Sequence, residues 1–240
     1  MNYFTSSPSR LIPFFCIFIS GAASLVYELI WIRQLSLVFG GTLYAISAVL
    51  CSFMTGLALG AWGIGLFLSY RNKQKKAVNL VLIYGIIEGF IGLYGLFFPY
   101  GLEFITQFYA PVVDGTIELG PLLHWIEFFL SAALMLPATI CMGATLPIIG
   151  SWSIGKNSER IVSDISALYS LNTFGAVAGC LYTQTIALKY FGVIATNFTA
   201  IGMNFLVFFL CTPLQSYFKK KPSSKIPVIK DNVYDVNSTT

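Results

Sequence analysis

The sequence predicts an all-α protein, a polytopic membrane helix bundle with about six transmembrane helices. Two observations predict this fold class. First, 56% of the 240 residues are hydrophobic and only 10% are charged, whereas an ordinary soluble domain is about 25% charged. Second, the apolar residues form long continuous stretches that short polar breaks separate. A soluble domain with so few charges could not cover its own surface, so the lipid bilayer is the expected partner.

Six apolar segments can be read along the chain, and each reaches the ~20 residues that a bilayer core requires. They cover residues 11–39, 43–70, 77–98, 123–149, 165–190 and 193–218. The first segment begins like a secretory signal, with Arg10 before an apolar run, but it continues to Phe39. A cleaved signal peptide is shorter than this, so we expect a retained first helix.

These segments form a single six-helix transmembrane domain, residues 11–218. Residues 1–10 are expected to be a short cytoplasmic N-terminus. Residues 219–240 are polar and contain two prolines, a composition that is typical of disorder. We therefore expect a disordered, basic cytoplasmic tail.

Loop charge predicts the orientation. If the N-terminus is cytoplasmic, 12 of the 14 Lys and Arg residues fall on the inner side, while Lys189 falls outside and Arg33 lies within the first segment. This asymmetry predicts a multi-pass protein of the plasma (inner) membrane with both termini in the cytoplasm. The basic residues are scattered in short loops and a tail rather than gathered on one folded face, so we expect no nucleic-acid partner.

Paired glycines favour a repeat of three helices plus three. The second segment carries Gly56 and Gly60, and its counterpart in such a repeat, the fifth, carries Gly175 and Gly179. Inverted three-helix repeats recur in secondary transporters. Helix packing alone is the alternative explanation, because small residues at this spacing let any two helices approach closely.

Two charged residues lie in the first segment. Glu28 falls towards its outer side, and Arg33 lies a little further along, where it could reach the interface. A charge inside a span is costly and usually faces a partner or a cavity. Glu28 and Arg33 are therefore candidates for a substrate or proton site, with an ion pair that locks the bundle as the alternative.

Glu88 is the sharpest candidate. It lies near the middle of the third segment, and no basic residue is near it in sequence. A carboxyl group at that depth is suited to proton coupling or to binding an amine cation. The alternative is a neutral Glu that hydrogen-bonds a neighbouring helix.

Polar residues of the later segments complete the set. Tyr169 and Asn172 in the fifth segment are candidates for substrate binding, although such residues more often join helices by hydrogen bonds. Pro137 and Pro147 predict kinks in the fourth segment. His124, the only histidine, begins that segment and is interpreted as structural.

Motifs of soluble enzymes are missing from the sequence, including GxSxG, the P-loop and HExxH. The five cysteines all fall inside apolar segments and form no CxxC pair. We interpret them as buried free thiols. The sequence therefore predicts no metal site and no cofactor.

Several blocks of sequence carry a resemblance to a known family. They are Ser24-Leu25-Val26-Tyr27-Glu28 with Trp31 and Arg33, Gly56-Leu57-Ala58-Leu59-Gly60, Met142-Gly143-Ala144-Thr145-Leu146-Pro147, and Leu168-Tyr169 with Asn172-Thr173 and Gly175. Together they resemble the membrane-embedded spermidine synthase-like proteins, which fuse a membrane part related to the major facilitator superfamily to a spermidine synthase domain. The resemblance implies half of a major facilitator-like fold. It also implies a membrane module that transports a small cation such as a polyamine.

One departure from that family bears on catalysis. Fused members continue into an aminopropyltransferase domain, which needs well over ~100 residues, whereas only residues 219–240 follow the sixth segment. We therefore expect no catalytic residues in this chain. A membrane anchor or assembly partner for a separately encoded soluble aminopropyltransferase is the alternative function, and a split gene product is a third. As a half-transporter, the chain would pair with itself or with a second membrane half.

Overall fold

The computed structural model describes residues 8–74, 79–113, 122–153 and 161–218. These residues form six α-helices: α1 (Pro8–Val38), α2 (Leu43–Lys73), α3 (Leu80–Val113), α4 (Leu122–Ser153), α5 (Ile161–Tyr182) and α6 (Gly192–Phe218). A π-helical segment, Thr183–Phe191, joins α5 to α6. No strand occurs in the described ranges, which confirms the predicted all-α class. The predicted tail and most of the short N-terminus lie outside the described residues.

Five helical stretches are long and apolar enough to cross a membrane, as expected for a multi-pass protein. They are Ile12–Val38, Leu43–Arg71, Leu80–Tyr109, Leu122–Trp152 and Val162–Cys211. The last one is 50 residues long and contains α5, the π-helical segment and most of α6, although Gly192 (φ +74°) interrupts the helical backbone where α6 begins. The number of six spans therefore stays a prediction.

The third helix is longer than expected. The predicted segment ends at residue 98, whereas α3 continues through Pro99 to Val113. Proline removes the hydrogen bond to the carbonyl four residues earlier, here that of Gly95. In this protein another helix supplies the missing donor, as described below. The expected end of the third helix at Phe98 was therefore wrong.

Side-chain contacts give the relative directions of the helices. α1 runs parallel to α3, because Ser20 contacts Glu88 and Phe39 contacts Tyr109. α6 runs antiparallel to α3, since Cys211 lies against Gly85 while Asn197 bonds to Gly95. α6 is therefore antiparallel to α1. Similarly, α5 is parallel to α1, and α4 is parallel to α2, as shown by the contacts Gly175–Phe18, Gly179–Ala22, Gly56–Thr139 and Gly143–Leu57.

Glycines set the closest helix contacts. A Cβ atom added at Gly60 would overlap the carbonyl of Ile140 in α4. A Cβ added at Gly179 would overlap the carbonyl of Ala22 in α1. Hydrogen at these positions lets the backbones touch, as small residues commonly do in membrane helices. The glycine pairs singled out in the sequence therefore lie at the α2–α4 and α1–α5 contacts.

The aromatic core lies on α1 and α3. Trp31 stacks on Phe98 with ring centroids 4.3 Å apart and an interplanar angle of 8°. Tyr27 packs against Trp31 at 4.9 Å. All three side chains are buried. Cys16 and Cys211 are buried free thiols as predicted, but Cys51 is an exposed free thiol, since its side of α2 has no neighbour among the described helices.

Candidate functional site

The candidate site is centred on Glu88, whose side chain is completely buried. The hydroxyl of Ser20 in α1 donates a hydrogen bond to Oε1 of Glu88. The Nδ2 amide of Asn204 in α6 donates one to Oε2, at 2.7 Å. Asn204 lies half-way along α6, so the site is deep in the bundle. One carboxyl group thus joins three helices.

Glu88 has neutral neighbours. Tyr84 is completely buried one turn earlier on α3. The one acid–base contact within the described ranges is that of His124 with Glu127, at the other end of the bundle, and it is an ion pair only when the imidazole is protonated. A buried charge with no opposite partner is very costly. A proton or a bound cation would remove that cost.

Several buried polar atoms on the three helices that hold Glu88 have no hydrogen-bond partner within the described ranges. They are the hydroxyls of Tyr27 and Tyr84, Nε1 of Trp31, and Oδ1 of Asn197 and Asn204. Most buried polar groups in proteins are paired. These free donors and acceptors lie on α1, α3 and α6, the helices that hold Glu88. They could hydrogen-bond water or a polar ligand inside the bundle.

A second polar contact joins α6 to α3, seven residues after Glu88 on α3. The Nδ2 amide of Asn197 in α6 donates a hydrogen bond of 2.9 Å to the carbonyl of Gly95. This carbonyl is the one that Pro99 leaves without its helical donor. Asn197 is 8% exposed, so water does not replace it readily. The bond explains how α3 continues through a proline.

Asn197→Ala is expected to destabilise the protein by about 1–2 kcal/mol, because the Gly95 carbonyl loses its only donor. The loss should be much smaller in a Pro99→Ala background, where the N–H of residue 99 can bond to Gly95. Unfolding by SDS in mixed micelles, followed by circular dichroism, measures all four proteins of this cycle. Equal losses in both backgrounds would contradict the explanation.

The other predicted residues do not gather around Glu88. Glu28 is buried at 8% exposure and forms no hydrogen bond or ion pair with another described side chain. Arg33 is exposed, and Tyr169 is 61% exposed. Asn172 is half-buried against Gly21, where α5 meets α1. The structure therefore brings Glu88 together with two residues that sequence reasoning had not grouped with it, Ser20 and Asn204.

Sequence reasoning also missed a second buried carboxyl group. Glu127, near the start of α4, is 2% exposed. The hydroxyl of Tyr109 donates a hydrogen bond of 2.9 Å to its Oε1. His124, interpreted above as structural, has its Nδ1 3.5 Å from Oε2. The i, i+3 spacing of His124 and Glu127 is the signal that could have paired them.

Comparison with protein-family models, curated proteins and solved structures found no match. The site is therefore interpreted from its own geometry.

An apolar cleft lies apart from Glu88. It has a volume of about 250 Å³ and lies between α2 and α4, with Ile87 of α3 at its edge. Its lining is almost wholly apolar and includes Gly60, Gly63 and Cys141. Glu88 does not line it, so the carboxyl group is enclosed in this conformation.

Proposed function

We propose that this chain is the membrane module of a spermidine synthase-like protein and that it transports a small cation such as a polyamine. The observation that carries this proposal is Glu88, a fully buried carboxyl group that three helices share. Intramembrane ionisable residues commonly mark substrate or proton pathways. An amine cation or a proton would neutralise Glu88. Neighbouring hydroxyl and amide oxygens could accept the remaining ammonium hydrogens.

The helix arrangement supports half of a major facilitator-like fold with a 3+3 inverted repeat. Such a repeat relates α1 to α4, α2 to α5 and α3 to α6. Under this exchange the α1–α5 contact corresponds to the α4–α2 contact, and the α3–α4 contact corresponds to the α6–α1 contact. All four pairs are extensive contacts in this bundle. The glycine pairs follow the same exchange, because Gly56 and Gly60 correspond to Gly175 and Gly179. A pseudo-two-fold axis of this kind is common in secondary transporters.

The proposed axis passes close to Glu88. The exchange maps the α3–α6 pair onto itself, as it does α1–α4, and of these two pairs α3–α6 is the more extensive contact and crosses antiparallel. Glu88 bonds to Asn204 at the middle of that crossing. Substrate and ion sites of repeat-built transporters lie at the repeat interface near the membrane midplane. The position of Glu88 supports a transport role for this reason.

Six spans with both termini in the cytoplasm make a further prediction. Single cysteines at Thr42 and Lys189, introduced in a chain without the five native cysteines, should react with a membrane-impermeant maleimide from outside the cell. A cysteine at Gln74 should react only after the membrane is opened. The reason is that α5 runs parallel to α1, so both helices end on the same side. Labelling of Lys189→Cys only from inside would contradict the six-span topology.

Uptake of labelled spermidine by proteoliposomes tests the transport proposal. The full chain should raise uptake above that of protein-free liposomes, and unlabelled spermidine should compete. An unrelated multi-pass protein, reconstituted at the same density, controls for leak. Uptake equal to this control for spermidine and for other small amines would reject the proposal.

A second function is favoured by the closed interior around Glu88. The bundle could act as an anchor or assembly partner that holds a separately encoded aminopropyltransferase at the inner membrane. Its test is purification from native membranes in mild detergent, with an aminopropyltransferase assay on the purified sample. The anchor function requires activity and a stoichiometric soluble partner, and transport requires neither.

A further inference from the structure

The two carboxyl oxygens of Glu127 differ in their hydrogen bonding. Its Oε1 accepts a hydrogen bond from Tyr109. Its Oε2 is buried and has no hydrogen-bond partner in the part of the chain that the structure describes. Leaving a buried acceptor unpaired costs about 1–3 kcal/mol, and more for a charged group. A hydrogen-bond donor or a proton at this oxygen would remove that cost.

His124 connects that oxygen to the outside of the protein. Its Nδ1 is 3.5 Å from Oε2, and its side chain is 44% exposed. The distance is too long for a hydrogen bond, but the two residues are one turn apart on α4, so a small rotation closes it. The ring is held by stacking on Tyr44 of α2, with centroids 4.3 Å apart and an interplanar angle of 19°.

The length of α4 places this cluster at the membrane surface. Its 32 residues extend about 48 Å at ~1.5 Å per residue, whereas the hydrocarbon core is about 30 Å thick. His124 lies in the first turn of α4. Water can therefore reach the outward edge of the imidazole.

Two titratable side chains of neighbouring helices contact the pair, Tyr44 of α2 and Tyr109 of α3. α1 contributes Phe39, whose ring packs against Tyr109 at 4.9 Å. No Lys or Arg in the described ranges forms an ion pair with Glu127.

We propose that His124 and Glu127 form a proton relay at this end of the bundle, with Tyr109 holding Oε1 of Glu127. In the resting state His124 is neutral and carries its hydrogen on Nδ1, facing Oε2 of ionised Glu127. Nε2 binds a proton from water, and the Nδ1 hydrogen then passes to Oε2. Glu127 becomes a neutral acid, and the imidazole is left neutral with its hydrogen on Nε2. One proton has moved from water to a buried oxygen.

This relay goes beyond the proposed transport and does not require a substrate. Its geometry also favours a proton over an amine as the ion that is bound. Oε2 is fully buried, so an ammonium group could reach it only by displacing the His124 ring from Tyr44. A proton needs no such opening.

Nitrogen NMR of the full chain in lipid nanodiscs tests the relay directly. Because the chain has a single histidine, ¹⁵N-histidine labelling reports His124 alone, and its two nitrogens distinguish the tautomers. The wild-type spectrum at alkaline pH should show mainly the Nδ1–H form. Glu127→Met should lose that form, whereas Tyr109→Phe should retain it. A wild-type spectrum dominated by Nε2–H would overturn the proposal even if the Met variant failed to fold.

Infrared spectroscopy tests the proton transfer. On a drop in pH, the wild type should gain a carboxylic-acid C=O band that Glu127→Gln lacks, and the matched control Glu103→Gln on the exposed side of α3 should keep it. In His124→Phe, which retains an aromatic ring against Tyr44, the band should form at least ~10-fold more slowly. An unchanged rate in His124→Phe would reject the relay role of the imidazole.

Discussion

Glu88→Gln is expected to reduce spermidine uptake at least about 30-fold. Glutamine has nearly the same shape as glutamate, and its carbonyl can still accept the hydrogen bond from Asn204. It cannot carry negative charge, so a bound cation loses its charged partner. Loss of a hydrogen bond to a charged group costs roughly 2 kcal/mol, which corresponds to about 30-fold in binding.

The matched control is Glu103→Gln. Glu103 lies on the same helix as Glu88, but it is exposed, so its replacement should leave uptake unchanged. Both variants should show wild-type circular dichroism and wild-type resistance to SDS. Normal uptake by Glu88→Gln would remove Glu88 from the transport site. Parallel loss of uptake in the two variants would indicate a general effect of charge.

Gly60→Ala is expected to destabilise the protein by about 3 kcal/mol. The added methyl group would overlap the carbonyl of Ile140, and backbone atoms cannot move aside as a flexible side chain can. Overpacking of a close contact typically costs 1–3 kcal/mol and sometimes more. Separation of α2 from α4 would open one of the most extensive contacts in the bundle. SDS unfolding in mixed micelles measures the loss.

Gly63→Ala is the control on the same helix. A Cβ at Gly63 meets nothing within 4 Å, and alanine is the better helix former, so this variant should be as stable as the wild type or slightly more. Gly179→Ala, at the corresponding α1–α5 contact, should lose stability as Gly60→Ala does. Equal stability of the Gly60 and Gly63 variants would contradict the close contact between α2 and α4.

The sequence was sufficient to predict the all-α class and most helix positions, because the length and polarity of each stretch are local properties. It also pointed to Glu88, since a carboxyl group inside an apolar stretch is unusual. The partners of Glu88 could not be predicted. Ser20 is 68 residues away in sequence and Asn204 is 116 residues away, so only the packed bundle brings them together.

The wrong end of the third helix and the missed Glu127 also follow from contacts between residues that are distant in sequence. The third helix was ended at residue 98 because proline ordinarily interrupts a helix, but Asn197 repairs the gap from a distance of 102 residues. Glu127 was overlooked because it lies only three residues from His124 at a predicted interface, where a carboxylate is unremarkable. Its burial depends on Tyr109, which was placed outside the third helix. One misplaced helix end therefore hid the second carboxyl site.

The bond between Asn197 and Gly95 also constrains the order of assembly. As the ribosome delivers the chain, α3 is synthesised well before α6, so the Gly95 carbonyl lacks its hydrogen-bond donor until Asn197 has been made. The part of α3 beyond Pro99 carries Tyr109, and it can become rigid only when α6 arrives. A nascent chain released before α6 is made would therefore lack a rigid end of α3 beyond Pro99. Synthesis of α6 completes α3.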